Sequence, residues 1–512
     1  MSQVSAFPFF DGLRYNGAKK KEGFVAMQAV WIRNDLRLKD NTALIHALKI
    51  AEREQEPLLL FFYIDPLQLA PETRSHDYFF AALADFYASC QSKNLPLYLI
   101  TGPLDQAFAT LFDQFPTIKG IHYNVSHRGY GLKRDRKVAD MLRDKGTIFK
   151  GYSDHHLHAA HEILTKDDTP YKVYTPYYNQ WKLRTKRQPL SLDLAALQRH
   201  VIQDISVKNQ DGETLFQTLC RQIQGNYADW LGEDNAQERL RLFCVEKMHR
   251  YHLDKDFPSI DGTSRLSSYL STGQLSIRDV FLQVSRAPDS QGKENFIKEL
   301  AWRDFYQMVY AFHPQQKELE VMEKYQGIPW QSNDEWFTKW QAGQTGFPIV
   351  DAAMRQLQTE GWMHNRLRMI AASFLTKDLN IDWRLGEAYF SQQLIDYDSA
   401  SNIGGWQWSA SVGTDAVPYF RIFNPTLQSQ KFDPSGAFIR QYVPELRDVP
   451  DYAIHEPYHF EQKLRTKEGI ELKRLYPPPI VDHKHQRLQS IEKYKYYEKN
   501  RRKEEARCDR QS

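Results

Sequence analysis

From Gln28 to about Tyr152 the chain alternates short β-branched and aromatic runs with helical-period stretches, and after about Gln217 the strand signal is gone. This switch of period is the strongest constraint on the fold. The runs AVWI (29–32), LLLFFYI (58–64), LPLYLITG (95–102), IKGIHYN (118–124) and GTIFKGY (146–152) read as strands. TALIHALKIAEREQ and HDYFFAALADFYASCQSK read as helices between them. Strands separated by helices at this spacing form βαβ units, so they pair in parallel and the helices cover both faces of the sheet. The expectation is an α/β N-terminal domain with a five-stranded parallel, Rossmann-like sheet, followed by an all-α C-terminal domain. No GxGxxG follows the first strand, so the sheet is not a standard dinucleotide domain.

The expected boundaries are 1–27 for a disordered extension or expression artefact, 28–160 for the α/β domain and 161–225 for a linker entered through VYTPYYNQW. A helical domain follows over 226–485, with breaks at Phe257–Pro258, His313–Pro314 and Phe347–Pro348, then a charged C-terminal tail over 486–512 that reads as a solvated terminal helix or tail. A length of 512 residues agrees with two or three cores rather than one. Cys90, Cys220, Cys244 and Cys508 are scattered with no CxxC pair, which points to a reducing, cytoplasmic setting and no metal site. The longest apolar run, Pro57–Ile64, is too short to cross a membrane and reads as a buried strand, and no secretory leader is expected. A net charge of +3 does not by itself indicate a nucleic-acid partner. The 11 Trp, 28 Tyr and 29 Phe are many, and suit stacking on planar ligands as well as core filling.

Four stretches could carry chemistry. In DGTSRLSSYLSTGQLS (261–276), Thr263, Ser264 and Ser267 cluster with Arg265 where a helix begins, which suits N-capping and equally a bound pyrophosphate. In FIKELAWRDFYQMVYAF (296–312), Glu299, Trp302, Arg303 and Tyr306 share one helical face, while Ile297, Ala301, Phe305, Met308 and Phe312 form an apolar face. Glu299 and Arg303 also stand at ion-pair spacing. After Gly361, Asn365, Arg368, Met369 and Ala372 share a face opposite Leu367, Ile370, Ala371 and Phe374. A merely solvated face would be rich in Glu and Lys, and this one is not. Finally, LIDYDSASNIGGWQWSAS (394–411) reads as an irregular ligand-lining segment, with Gly404–Gly405 allowing close approach to a flat ring.

In their order TSRLSSYLSTG, ELAWRDFY, TGFPIVDAAMRQL, GWMHNRLRM, DWRLGEAYF and NIGGWQWSASVGTDAVPYFRIFNP, these segments resemble the photolyase/cryptochrome family, within it the class I cyclobutane pyrimidine dimer photolyases. The resemblance runs from about Gln28 to about His485. It implies an antenna-binding α/β domain and a helical domain that binds FAD and DNA, in a monomer with no membrane partner. Tyr251 and Thr263, Ser264, Arg265, Leu266 and Ser267 would contact a folded FAD, the latter run at its phosphates, with Arg303 also on the cofactor. Arg368 and Asp396 would pair beside the isoalloxazine, Asp398 would lie against FAD, and Asn402 would face its N5 atom. A thymine dimer flipped from UV-damaged DNA would meet a wall of Trp302 and Trp408, a floor of Met369, and hydrogen bonds from Glu299 and Asn365. Light-excited reduced FAD would lend the dimer one electron and recover it. Trp330, Trp383 and Trp406 would relay electrons to oxidised FAD.

Lys255, Arg366 and Gln428, with Glu299, Trp302, Arg303, Tyr306 and Asn365, match DNA-contacting positions. Lys255 stands where an arginine is usual, so bidentate phosphate contact is lost. The resemblance also implies an antenna chromophore, 8-hydroxy-5-deazaflavin or 5,10-methenyltetrahydrofolate. In YNVSHRGYGLKRDRKV, Arg128 replaces the glutamate with which folate-binding relatives recognise the pterin, which leaves a deazaflavin or no antenna at least as well supported. The rivals are a cryptochrome-type blue-light receptor, repair of the (6-4) photoproduct, and a non-enzymatic DNA-binding flavoprotein. The lack of a long extra tail and His364–Asn365 with Met369 favour dimer repair.

Overall fold

The parallel sheet is built from β1 (Met27–Ile32), β2 (Leu58–Ile64), β3 (Leu97–Thr101), β4 (Ile118–Asn124) and β5 (Ile148–Tyr152), in the order β3-β2-β1-β4-β5. This is a computed structural model that describes residues 25–205 and 210–508, with side chains through Lys499. The expected extension therefore lies outside the described residues, apart from the stretch that leads into β1.

Side chains alternate across a strand, and two cores result. Val30, Ile32, Leu58, Leu60 and Phe62 pack on one face, while Ala29, Trp31, Leu59, Phe61 and Tyr63 pack on the other. Both faces are covered by helices, including α1 (Thr42–Glu54), α2 (Arg74–Ser92), α3 (Leu104–Gln114) and α4 (Gly129–Arg143). Asn41 caps α1 by accepting from the Leu44 N–H at 3.2 Å.

The expected linker entry at 173–181 is helical. In α5 (Tyr174–Leu183), Tyr174, Tyr177 and Trp181 are buried against α6 (Gln291–Phe312). Helix α6 is capped by Ser290, which accepts from Lys293 N–H at 3.1 Å, and stops before the His313–Pro314 break. The next helices that matter are α7 (Asn365–Ser373), α8 (Trp383–Gln393), α9 (Ser399–Ser409) and α10 (His483–Cys508). Leu367, Ile370, Ala371 and Phe374 all enter the large core of the helical domain, as their spacing requires. Among the described residues no helix is long and apolar enough to cross a membrane.

Two expectations are corrected. The segment expected to be irregular contains α9, because Asp398 caps it by accepting from Ser401 N–H at 2.9 Å. Gly404 is unfavourable in a helix interior by about 1 kcal/mol relative to Ala, but close packing requires it: a Cβ there would lie 2.2 Å from the Tyr306 ring. The charged tail is not merely solvated, and its expected start at 486 falls inside α10. Ser490 and Tyr494 are buried, and Tyr497 donates to the Gln326 carbonyl at 2.5 Å. These three share a face at i, i+4 and i+7; the charges at the positions between them mask the stripe in the sequence.

Candidate active site

Helices α6, α7 and α9 enclose a cavity of about 470 Å³. From α6 come Glu299, Trp302, Arg303 and Tyr306; from α7 come Asn365, Arg366, Arg368, Met369 and Ala372. Both polar stripes read from the sequence thus face the same space. The third wall is Asp396, Asp398, Asn402, Gly405, Trp406 and Trp408, with Lys255 and Ser267 also on the lining. A Cβ at Gly405 would meet nothing within 4 Å, so this glycine leaves the wall low where Gly404 serves packing.

Charge is arranged in pairs. Arg368 donates to Asp396 Oδ2 at 2.8 Å and to the Met363 carbonyl at 2.8 Å. The second oxygen of Asp396 is buried without a hydrogen-bond partner among the described residues, so the site presents an acceptor that lacks its donor. Burial alone would raise the Asp398 carboxyl, but Arg128 and Arg303 hold it down at about 2. Asn402 donates to Glu387 Oε1 at 3.1 Å. Glu299 pairs with Lys255 at 3.5 Å rather than with Arg303, whose guanidinium donates to the His155 carbonyl. Burial pushes the Glu299 carboxyl above the usual range, with Lys255 opposing.

Trp302 is held flat. The Tyr174 ring stacks on it at 3.8 Å between centroids and 7° between planes, and the Tyr174 hydroxyl donates to the Lys298 carbonyl at 2.6 Å. At the rim Arg366 donates to Asp256 at 2.8 Å and lies 4.4 Å over Phe432, one helical turn from Gln428. Gln428 itself is not on the cavity lining.

Other expected residues also fall outside the cavity. Tyr251 is buried, edge-on to Phe243 at 5.7 Å and Phe296 at 5.4 Å, and Leu266 is in the same core. The short helix that starts at Ser267 has Leu266 at its cap position and no side-chain cap bond there; the Ser264 hydroxyl accepts from the Leu266 N–H at 3.4 Å, just ahead of the helix. Arg265 lies 4.4 Å over the Trp362 ring. Of the three tryptophans expected to form a relay, Trp406 is on the cavity wall and its ring fills the space beside Gly386. Trp383 is fully buried one turn before Gly386 and donates to Glu320 at 3.3 Å. Trp330 is half-buried under Lys493. Sequence reasoning missed Tyr174, Glu387 and Asp256, and flagged Arg128 for its missing acid alone.

A family model for DNA photolyase matches residues 28–199, and one for the FAD binding domain of DNA photolyase matches residues 296–496. The chain belongs to the DNA photolyase family. It is 46% identical to the deoxyribodipyrimidine photo-lyase of Alkalihalophilus pseudofirmus over 92% of this chain and 98% of that one. To the Escherichia coli protein of the same name it is 40% identical over 91% and 98%. Among solved structures, a class III photolyase from Agrobacterium tumefaciens superposes with a TM-score of 0.84 at 32% identity, covering 94% of this chain and 100% of that one. An archaeal photolyase from Sulfolobus tokodaii, solved with two FAD molecules, gives 0.75 at 30% identity, covering 92% and 100%. The helical domain of the present photolyase-family chain is thus an FAD-binding domain.

Proposed function

We propose that this enzyme repairs cyclobutane pyrimidine dimers in UV-damaged DNA by light-driven electron transfer. The observation that carries this reading is the convergence of Glu299, Trp302, Asn365, Met369 and Trp408 on the cavity that holds the Arg368–Asp396 pair. The cavity residues fit a flavin: the orphaned Asp396 oxygen calls for a donor, and Gly405 leaves room for a flat ring. Bound FAD supplies light absorption and a one-electron donor. Arg368, Asp396, Asp398 and Asn402 would hold it, with Ser267 and Arg303 nearby on the lining.

The chain's own residues bind and orient the lesion. Trp302, fixed from behind by Tyr174, offers its other face to a pyrimidine, and Trp408 and Met369 supply further apolar and polarizable surface. A dimer is already poorly stacked, so its extrusion costs less than that of a normal pair. Glu299, with its raised carboxyl, donates a hydrogen bond to a pyrimidine carbonyl when protonated, and Asn365 offers both a donor and an acceptor. Ring opening breaks two carbon–carbon bonds with no net redox change, so these groups stabilise charge and do not act as nucleophiles. Lys255, Arg366 and Gln428 would meet the DNA backbone at the rim.

Arg128, which stands where folate-binding relatives carry the pterin-recognising acid, donates to Asp398, Gln307 and Ser399, and this supports a deazaflavin or no second chromophore at least as well as a folate. The test is illumination of the reduced, FAD-loaded protein with an oligonucleotide carrying one thymine dimer, and a (6-4) photoproduct as the parallel substrate. Restored thymines from the dimer alone are expected. No restoration with FAD bound and reduced would sink the proposal.

A further inference from the structure

A cation lies on the face of Trp330. Lys493 of α10 places Nζ 4.0 Å from the indole centroid, donates to the Pro329 carbonyl at 3.2 Å and also donates to Asn380 Oδ1. The Trp330 loop and the loop that leads to Trp383 are themselves joined, because Gln331 N–H donates to the Asn380 carbonyl at 2.8 Å. Lys493 therefore sits across the seam between the two outer tryptophans of the expected relay. Nothing in the assigned dimer site uses it.

We propose that Lys493 sets how readily Trp330 gives up an electron, holding the outer tryptophan less oxidisable than an uncovered indole. This inference rests on the reading of Trp330, Trp383 and Trp406 as an electron relay. In that relay one electron leaves Trp330 for an oxidised Trp383, and one electron from a thiol in solution restores Trp330. A cation is attracted to the electron-rich face of a neutral indole; once the ring has lost an electron the same contact is repulsive. Trp330 Nε1 is buried with no hydrogen-bond partner among the described residues, so no described protein group stands ready to take its proton as the electron leaves, and the ring is a cation when it first meets the Lys493 charge.

The groups that bear on the Lys493 charge are few. Burial against the ring pushes its ammonium down to about 7, and the Asp382 carboxylate opposes that shift. Lys377 faces it across Tyr494, whose ring lies 3.9 Å from the Lys377 Nζ and 5.2 Å from that of Lys493. Lys493 thus carries its charge at about pH 6, where the measurement belongs.

The test compares Lys493→Gln, Lys493→Arg and Trp330→Phe in the full chain with FAD. Flash absorption reads the yield and lifetime of the tryptophan radical, and fluorine NMR of protein labelled with fluorotryptophan reads the Trp330 ring without using the flavin. K493Q should raise the radical yield or lifetime roughly three- to fivefold, the factor carried by an ordinary cation–π contact. It should also move the Trp330 resonance, and K493R should restore both. If W330F abolishes the outer radical while K493Q matches wild type and leaves the resonance unmoved, the role of Lys493 is overturned. If W330F leaves photoreduction unchanged, the relay itself fails, and the inference with it.

Discussion

Arg128, the residue before α4 in the α/β domain, donates to Asp398, the cap of α9 in the helical domain, across 270 positions of sequence. Helix α9 carries Asn402, Trp406 and Trp408, so one ion pair ties the sheet domain to a wall of the site. Arg128→Gln should remove one of the two guanidiniums that hold the Asp398 carboxylate and leave Arg303 to carry it, at a cost of about 1–3 kcal/mol, lowering both Tm and the fraction of FAD retained. The pH dependence follows from the sign of the shift. A carboxyl held at about 2 contributes stability above its unfolded value that is lost as pH falls through the folded one. FAD release on acidification should therefore begin at higher pH in R128Q than in wild type, as followed by flavin absorbance after filtration.

Tyr174→Ala should weaken binding of a dimer-containing oligonucleotide by about three- to tenfold, the value of one aromatic stack, with FAD content unchanged. Tyr174→Phe keeps the ring behind Trp302 and should bind nearly as wild type. Titration of oligonucleotide binding in the dark separates the two.

Glu299 carries a carboxyl raised mainly by burial. Only its protonated form can donate to a pyrimidine carbonyl, so the quantum yield of repair should fall as pH rises through its titration. Glu299→Gln donates at every pH and should flatten that limb, whereas Glu299→Ala should lower the yield throughout while FAD stays bound. Repair yield against pH for the three proteins is the measurement.

The neighbouring glycines of α9 should respond in opposite ways. Gly404→Ala forces a Cβ to 2.2 Å from the Tyr306 ring and should destabilise by about 1–3 kcal/mol. Gly405→Ala meets open space, and gains up to about 1 kcal/mol of helix propensity, but its methyl group enters the cavity. Thermal melts should rank G404A below wild type and G405A at or above it, with FAD content reduced in G405A.

The strands and the two polar stripes were legible because each is set by local periodicity. Leu58–Ile64 is apolar throughout because its two faces enter two cores, and Asn365, Arg368, Met369 and Ala372 share a face by helix geometry alone. Helix α9 was not legible, since paired glycines read as a break until the Tyr306 ring that explains Gly404 is in place. The buried stripe of α10 was hidden by the charges at the positions between its buried residues. What only the tertiary structure decided are the long-range partners: Arg128 with Asp398, Tyr174 with Trp302, and Lys493 with Trp330. Local sequence fixes which face a side chain occupies, but distant segments acquire a common neighbour only when the cores close and bring those faces together.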